Sequence, residues 1–230
     1  MKKNKISCDK RTCFLCKVCL PEWTPAIEGN KKTFHFKKGE LIFIEGQPVE
    51  GIYFIYSGTV KVHKKWGKEK ELIIRFAKAG DIVGHRGLGD EIIYPVSGTA
   101  LEQTTVCFID LNFFRQTLRI NNEFTIRLLM FYADELQRSE RKMNHLAHMQ
   151  VKGRIAYCLL SLKNKFGNTP EGAINIILSR QDLASYAGTT YETVFRIMNE
   201  FVQDELVTVH NKSISIINEP ALTDLTNSGE

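Results

Sequence analysis

No run of apolar residues in this chain approaches the roughly 20 needed to cross a bilayer. The lysine-rich start MKKNKISC passes into cysteines and charges rather than a signal-peptide core, so a cytoplasmic protein with no membrane partner is expected. There is no G-x-G-x-x-G phosphate loop, no nucleophile elbow and no H-E-x-x-H, and the six histidines form no metal-ligand pattern, all of which speaks against an enzyme. Surplus charge of one sign is scarce as well. The net +5 over 230 residues conceals a C-terminal third, residues 151–230, with seven Lys and Arg against nine Asp and Glu. Nucleic-acid binding there must rest on a motif and on local charge, because bulk attraction is missing. The length allows a sizeable core and one or two domains.

Cysteine, by contrast, is concentrated. CDKRTCFLCKVC, residues 8–19, holds four of the six cysteines. In a reducing compartment such a cluster holds a metal or switches redox state more readily than it forms structural disulfides. Cys13-x-x-Cys16-x-x-Cys19 repeats the short spacing by which a loop wraps an iron–sulfur cluster. Close-set thiols equally suit Zn²⁺, and a dithiol switch needs only two of them. An iron–sulfur electron-transfer protein or enzyme is a further alternative. Cys158, in the apolar run of GRIAYCLLSLKNKF, reads as a small buried hydrophobe, as Cys107 would on its own.

After PEWTP, expected as a linker, residues 31–110 alternate short apolar runs with glycine turns at Gly39, Gly46, Gly58, Gly67 and Gly80, the pattern of an antiparallel sandwich or barrel. Between Phe124 and His148 there is neither Gly nor Pro. Ile126, Leu129, Ala133, Leu136, Met143 and Ala147 recur at alternating three and four, with Glu140 completing a heptad seam. Packing on its own sheet is one use for such a helix; its narrow stripe over about three heptads favours pairing with a second copy of the chain. Glu140 would then face its symmetry mate and weaken the pair.

INIIL is expected as a short strand. In SRQDLASYAGTTYETVFRIMNEF, Ser179 with Asp182 opens a helix that Gly188 ends, and Thr189 with Glu192 is expected to cap a second. On that second helix Val194, Ile197, Met198 and Phe201 form a core face, while Tyr191, Glu192, Phe195, Arg196 and Asn199 form the opposite one. The large aromatics Tyr191 and Phe195 are wrong for an ordinary solvated face. In a major groove, Arg bonds guanine bidentately, Glu accepts from cytosine N4 and Phe touches a thymine methyl. The plainer reading is an ion pair between Glu192 and Arg196. VTVHNKSISII follows as a hairpin with an Asn-Lys turn, a winged arrangement; the closing ALTDLTNSGE is expected to fray.

In KKGELIFIEGQPVEGIYFIYSGTVKV, FAKAGDIVG and LSRQDLASYAGTTYETVFRIMNEF, the chain resembles the Crp/Fnr family of transcription regulators over about residues 31–217. The resemblance implies an α+β fold: a cysteine-rich segment at 1–30, an antiparallel β-roll sensor domain of the cyclic-nucleotide-binding type at 31–110, a dimerisation helix at 111–150 and a winged helix-turn-helix at 151–230. It also implies a homodimer on a palindromic double-stranded operator, working with RNA polymerase. Glu192 and Arg196 would read a G·C-containing half-site, with Thr189 and Thr190 at the helix entrance. Phe195 departs from the small polar residue common there in the Fnr branch. Where the cyclic-nucleotide branch has a Gly-Glu-Leu turn and an Arg-Ser pair, this chain has Gly84-His85-Arg86 and Tyr94-Pro95-Val96-Ser97-Gly98, so no cyclic nucleotide is expected. The cysteines resemble the Fnr branch, which implies a redox-, oxygen- or NO-sensitive [4Fe-4S] cluster on Cys13, Cys16, Cys19 and Cys107. Cys8 stands as a substitute in the trio Cys8, Cys13 and Cys16, and zinc as the other metal.

Overall fold

The computed structural model describes residues 11–67 and 70–227. Cys8 lies outside them. Two compact units divide between Leu136 and Gln137, and each is described by itself.

The first unit opens with turns over residues 11–19, a 3-10 turn at Pro21–Trp23 and helix α1 (Thr24–Asn30). PEWTP is therefore helical rather than a linker. Its prolines take the opening positions of their turns, where no N–H is required. Trp23 fixes the segment by stacking on Phe113 at 5.7 Å and donating Nε1–H to Thr117 Oγ1 at 3.1 Å.

Eight strands follow: β1 (Lys32–Phe36), β2 (Leu41–Phe43), β3 (Gly51–Ser57), β4 (Thr59–Trp66), β5 (Lys70–Lys78), β6 (Ile82–Val83), β7 (Ser97–Ala100) and β8 (Thr104–Asp110). They form two antiparallel four-stranded sheets, β1-β8-β3-β6 and β2-β7-β4-β5, whose inward residues, among them Ile52, Phe54, Val60, Ile82, Val106 and Ile109, share one apolar core. The five expected glycine turns all have positive φ.

Residues 111–150 hold two helices rather than one, α2 (Leu111–Ile120) and α3 (Asn122–His148). Asp110 caps α2 by accepting from the Asn112 and Phe113 amides. Between the helices Asn121 is buried, donating to Thr117 O and accepting from the Leu20 amide. The first half of α3 belongs to this unit and buries Phe124, Leu128 and Glu135.

The second unit holds the end of α3, then α4 (Val151–Phe166), α5 (Arg180–Ala187), α6 (Tyr191–Gln203), β9 (Val207–His210), β10 (Ser213–Ile216) and α7 (Glu219–Asn227). The reciprocal Ser179–Asp182 cap opens α5, and Gly188 closes it in the left-handed conformation, φ 64° and ψ 47°. β9 and β10 form the expected hairpin, with Asn211 at φ 56° in its turn. INIIL forms no strand. Ile174 donates once to Ile214 O, and the Ile176 amide then folds back onto Ile174 O, which ends the pairing. Nor does the chain fray at ALTDLTN, because burial of Leu222 holds α7.

Candidate nucleic-acid interface and cysteine centre

α6 is set by local code. The Ala184 carbonyl accepts from the amides of both Gly188 and Thr189, so Thr189 is spent in closing α5. The cap of α6 is therefore Thr190, one residue later than expected, its Oγ1 accepting from the Thr193 amide at 3.3 Å. Val194, Ile197, Met198 and Phe201 are buried as expected. Tyr191, Glu192, Phe195, Arg196 and Asn199 are all exposed, and the Tyr191 and Phe195 rings stack at 6.4 Å. The alternative Glu192–Arg196 pair does not form among the described residues. Arg196 Nη1 lies 2.5 Å from Glu200 Oε1, and Lys152 of α4 lies 3.4 Å from the other oxygen of Glu200. Glu192 is left as an unengaged acceptor among the described residues, beside an arginine with five donors in a fixed plane.

The cysteine segment is placed by long-range contacts. The Phe14 amide donates to Gly80 O at 2.9 Å, and a side chain at Gly80 would collide with the Thr12 carbonyl 2.7 Å away. Leu15 is buried. Phe14, between two of the cysteines, packs edge-on against Phe131 of α3 at 5.1 Å and Phe124 at 6.0 Å, with the Arg127 guanidinium 5.6 Å from its ring. Cys13, Cys16 and Cys19 are half-buried against the apolar core that contains buried Cys107, which pairs with Thr33 and Phe54 across its neighbouring strands. Burial, and then the proximity of Cys13, push the Cys19 thiol up to about 12. Among the described residues no three His, Cys, Asp or Glu side chains close around a metal ion. Thiols are the donor type that an iron–sulfur cluster requires and that zinc accepts, and Cys13, Cys16 and Cys19 pack against the same apolar core as Cys107.

α3 carries two opposed faces. The seam residues Ile126, Leu129, Ala133, Leu136, Glu140, Met143 and Ala147 are all exposed in the single chain, Leu129 at 67%, Leu136 at 60% and Met143 at 62%. The inward face carries a buried charge that the sequence reading missed. Glu135 lies 2.8 Å from Arg86 Nη2 and 3.4 Å from Arg75 Nε, and the Tyr132 hydroxyl donates to His85 O. Burial first, then Arg75 and Arg86, hold the His85 imidazole well below its ordinary pKa, so it is neutral. Beside it lies a recess lined by Phe43, Val62, Arg75, Tyr94 and Val96.

Two family models match the chain: a cyclic nucleotide-binding domain over residues 33–121 and a Crp-like helix-turn-helix domain over residues 153–225. The cAMP-activated global transcriptional regulator CRP of Salmonella typhimurium is 30% identical over 204 residues, covering 85% of this chain and 96% of that protein. Electron transport regulator A of Shewanella oneidensis is 28% identical over 188 residues, covering 81% and 75%. The structure of FixK2 from Bradyrhizobium japonicum superposes with a TM-score of 0.76 at 24% identity, covering 85% and 96%, which shows the shared fold.

Proposed function

The chain belongs to the Crp/Fnr family of DNA-binding transcription regulators, and from that premise we propose that it is an Fnr-like, cytoplasmic homodimer whose operator binding is governed by a [4Fe-4S] cluster on Cys13, Cys16, Cys19 and Cys107. The observation that carries the reading is the position of Phe14: the ring between the cysteines rests on the dimer helix at Phe124 and Phe131. Cys13, Cys16, Cys19 and Cys107 would hold the cluster as thiolates, and it would supply a centre sensitive to O₂ or NO.

What the chain does follows from its own contacts. Tethering Cys13, Cys16 and Cys19 to Cys107 would lock in place the packing of Phe14 on α3. A fixed α3 presents Ile126, Leu129, Ala133, Leu136, Met143 and Ala147 to a second copy, against the repulsion of Glu140 with its mate. The paired chains then offer two α6 helices to a palindrome, about one helical turn of DNA apart. Arg196 exchanges Glu200 for a guanine edge, Glu192 accepts from cytosine, and the Tyr191–Phe195 stack lies against a thymine methyl. Asn199, Thr189 and Thr190 approach the same groove, and bound dimers act on RNA polymerase. The Arg86–Glu135 pair, which engages an arginine that a phosphate would need, favours control from the cysteines rather than from a nucleotide. The name of the Shewanella relative, an electron transport regulator, agrees with a redox signal.

Protein purified without oxygen tests this. About four iron and four sulfide per chain, with a visible spectrum bleached by air and absent in Cys107→Ser, are expected. Zinc without iron, indifferent to air and to that substitution, would overturn the cluster and make the segment a structural staple.

A further inference from the structure

Arg154 lies in the first turn of α4, at the positive end of its own helix dipole, where a cation is disfavoured. Its guanidinium nevertheless makes four hydrogen bonds, all to backbone carbonyls. Nε donates to Ala187 O at 3.0 Å, Nη1 to Met149 O at 3.2 Å and Leu146 O at 3.4 Å, and Nη2 to Gly188 O at 3.3 Å. These four carbonyls belong to two helix C-termini. Leu146 and Met149 close α3, while Ala187 and Gly188 close α5. Terminal carbonyls have no intrahelical partner and carry the negative end of the dipole, so both ends attract one planar, multidentate cation. The neighbouring Gly153 admits a close approach of α7 to α4, since a side chain there would lie 2.6 Å from Leu225 O, and it leaves room for Met149, whose Cγ would be 3.1 Å away. Gly188 is also the residue from which the chain turns, through Thr189, to the Thr190 cap of α6.

We propose that Arg154 is a positioning residue for operator reading: it ties the last turn of α3 to the turn that opens α6, and so sets the separation of the two recognition helices in the dimer. This rests on the paired reading of a palindrome proposed above. Arg154 touches no base. Its effect appears in which half-site spacing is accepted rather than in which bases are read. Lysine, a point charge on a flexible stem, cannot engage both helix ends in one plane.

The test uses the full-length, anaerobically purified protein. The probe is an inverted-repeat duplex selected by the wild-type protein from a pool randomised only in its half-sites, together with versions one base pair longer or shorter between the half-sites. Wild type should lose about tenfold in affinity on either change of spacing. Arg154→Lys and Arg154→Gln should keep the dimer and the melting temperature, bind the selected duplex about tenfold more weakly, and bind all three duplexes within about twofold of one another. Variants that keep the wild-type spacing preference overturn the proposal. So do variants that fail to fold or to dimerise, since they make Arg154 part of the scaffold. A wild-type protein indifferent to spacing would instead remove the paired reading on which the proposal rests.

Discussion

The two halves of α3 are gripped by different chemistry. In the first unit, Phe124 and Leu128 sink into the sheet core, Glu135 lies between two arginines, and Phe14 covers the helix from a segment tied to the sheet at Gly80. In the second, Lys142 lies 4.4 Å from the Tyr186 ring centroid, His145 packs edge-on to Tyr157 at 4.3 Å, and Arg154 holds the last carbonyls. The second grip is complete in the chain as it folds, whereas in the first the three thiols of the cysteine segment, Cys13, Cys16 and Cys19, pack on the core that contains Cys107 and, among the described residues, do not close around an ion. On the proposed reading, a signal that acts on the cysteines would enter at the first half of the helix and be delivered by the second.

The strongest way to break this comparison is to remove the surface shared by both halves. Leu129→Lys combined with Leu136→Lys places like charges on the seam. Sedimentation should report a monomer, and operator affinity should fall to the non-specific level, a loss of about 10³-fold or more. Arg196→Ala acts at delivery alone. It should weaken operator binding about tenfold to a hundredfold and relax the preference for G·C at one position per half-site, leaving the dimer intact. Phe14→Ala tests the entrance. Iron content should remain that of wild type, while the metal-loaded protein loses about tenfold in operator affinity and approaches the metal-free one. An unchanged ratio between loaded and stripped protein would show that the signal does not pass through this ring. All three affinities are read by titration against one selected duplex.

Legibility in the sequence follows the same divide. α6 could be read almost completely, because capping residues and a one-sided apolar face are local information. Its errors lie where contacts cross the turn or leave the helix. Thr189 is spent on Ala184 O, which moves the cap to Thr190, and Glu200, held by Lys152 of α4, takes the arginine that the plainer alternative paired with Glu192. The β-roll was visible through its glycine turns, since positive φ limits what may stand there. Glu135 was not visible: a carboxylate on a long helix reads as solvated, and only Arg75 and Arg86, far away in the chain, make it buried. Phe14 likewise reads as a spacer between cysteines until Phe124 and Phe131 are brought beside it.

The smallest expected effect separates the permanent grip from the switchable one by pH. Burial holds the Lys142 ammonium down to about 8, with the nearby Cys158 acting weakly the other way. A lysine depressed in the folded state binds its proton less readily there than in the unfolded chain. Between about pH 8 and the ordinary lysine value of 10.5, the unfolded state thus carries more protons, and stability attributable to Lys142 rises with pH. Below about 8 both states are protonated and the full cost of burying the charge remains. Lys142→Met, which keeps a long apolar stem against Tyr186, should therefore raise the melting temperature at pH 7, and the gain should shrink as pH rises from 8 toward 10.5. Melting followed with and without the metal should give the same difference, because this contact lies in the half of α3 that does not receive the signal. A gain that depends on the metal would mean that the two grips are coupled along the helix.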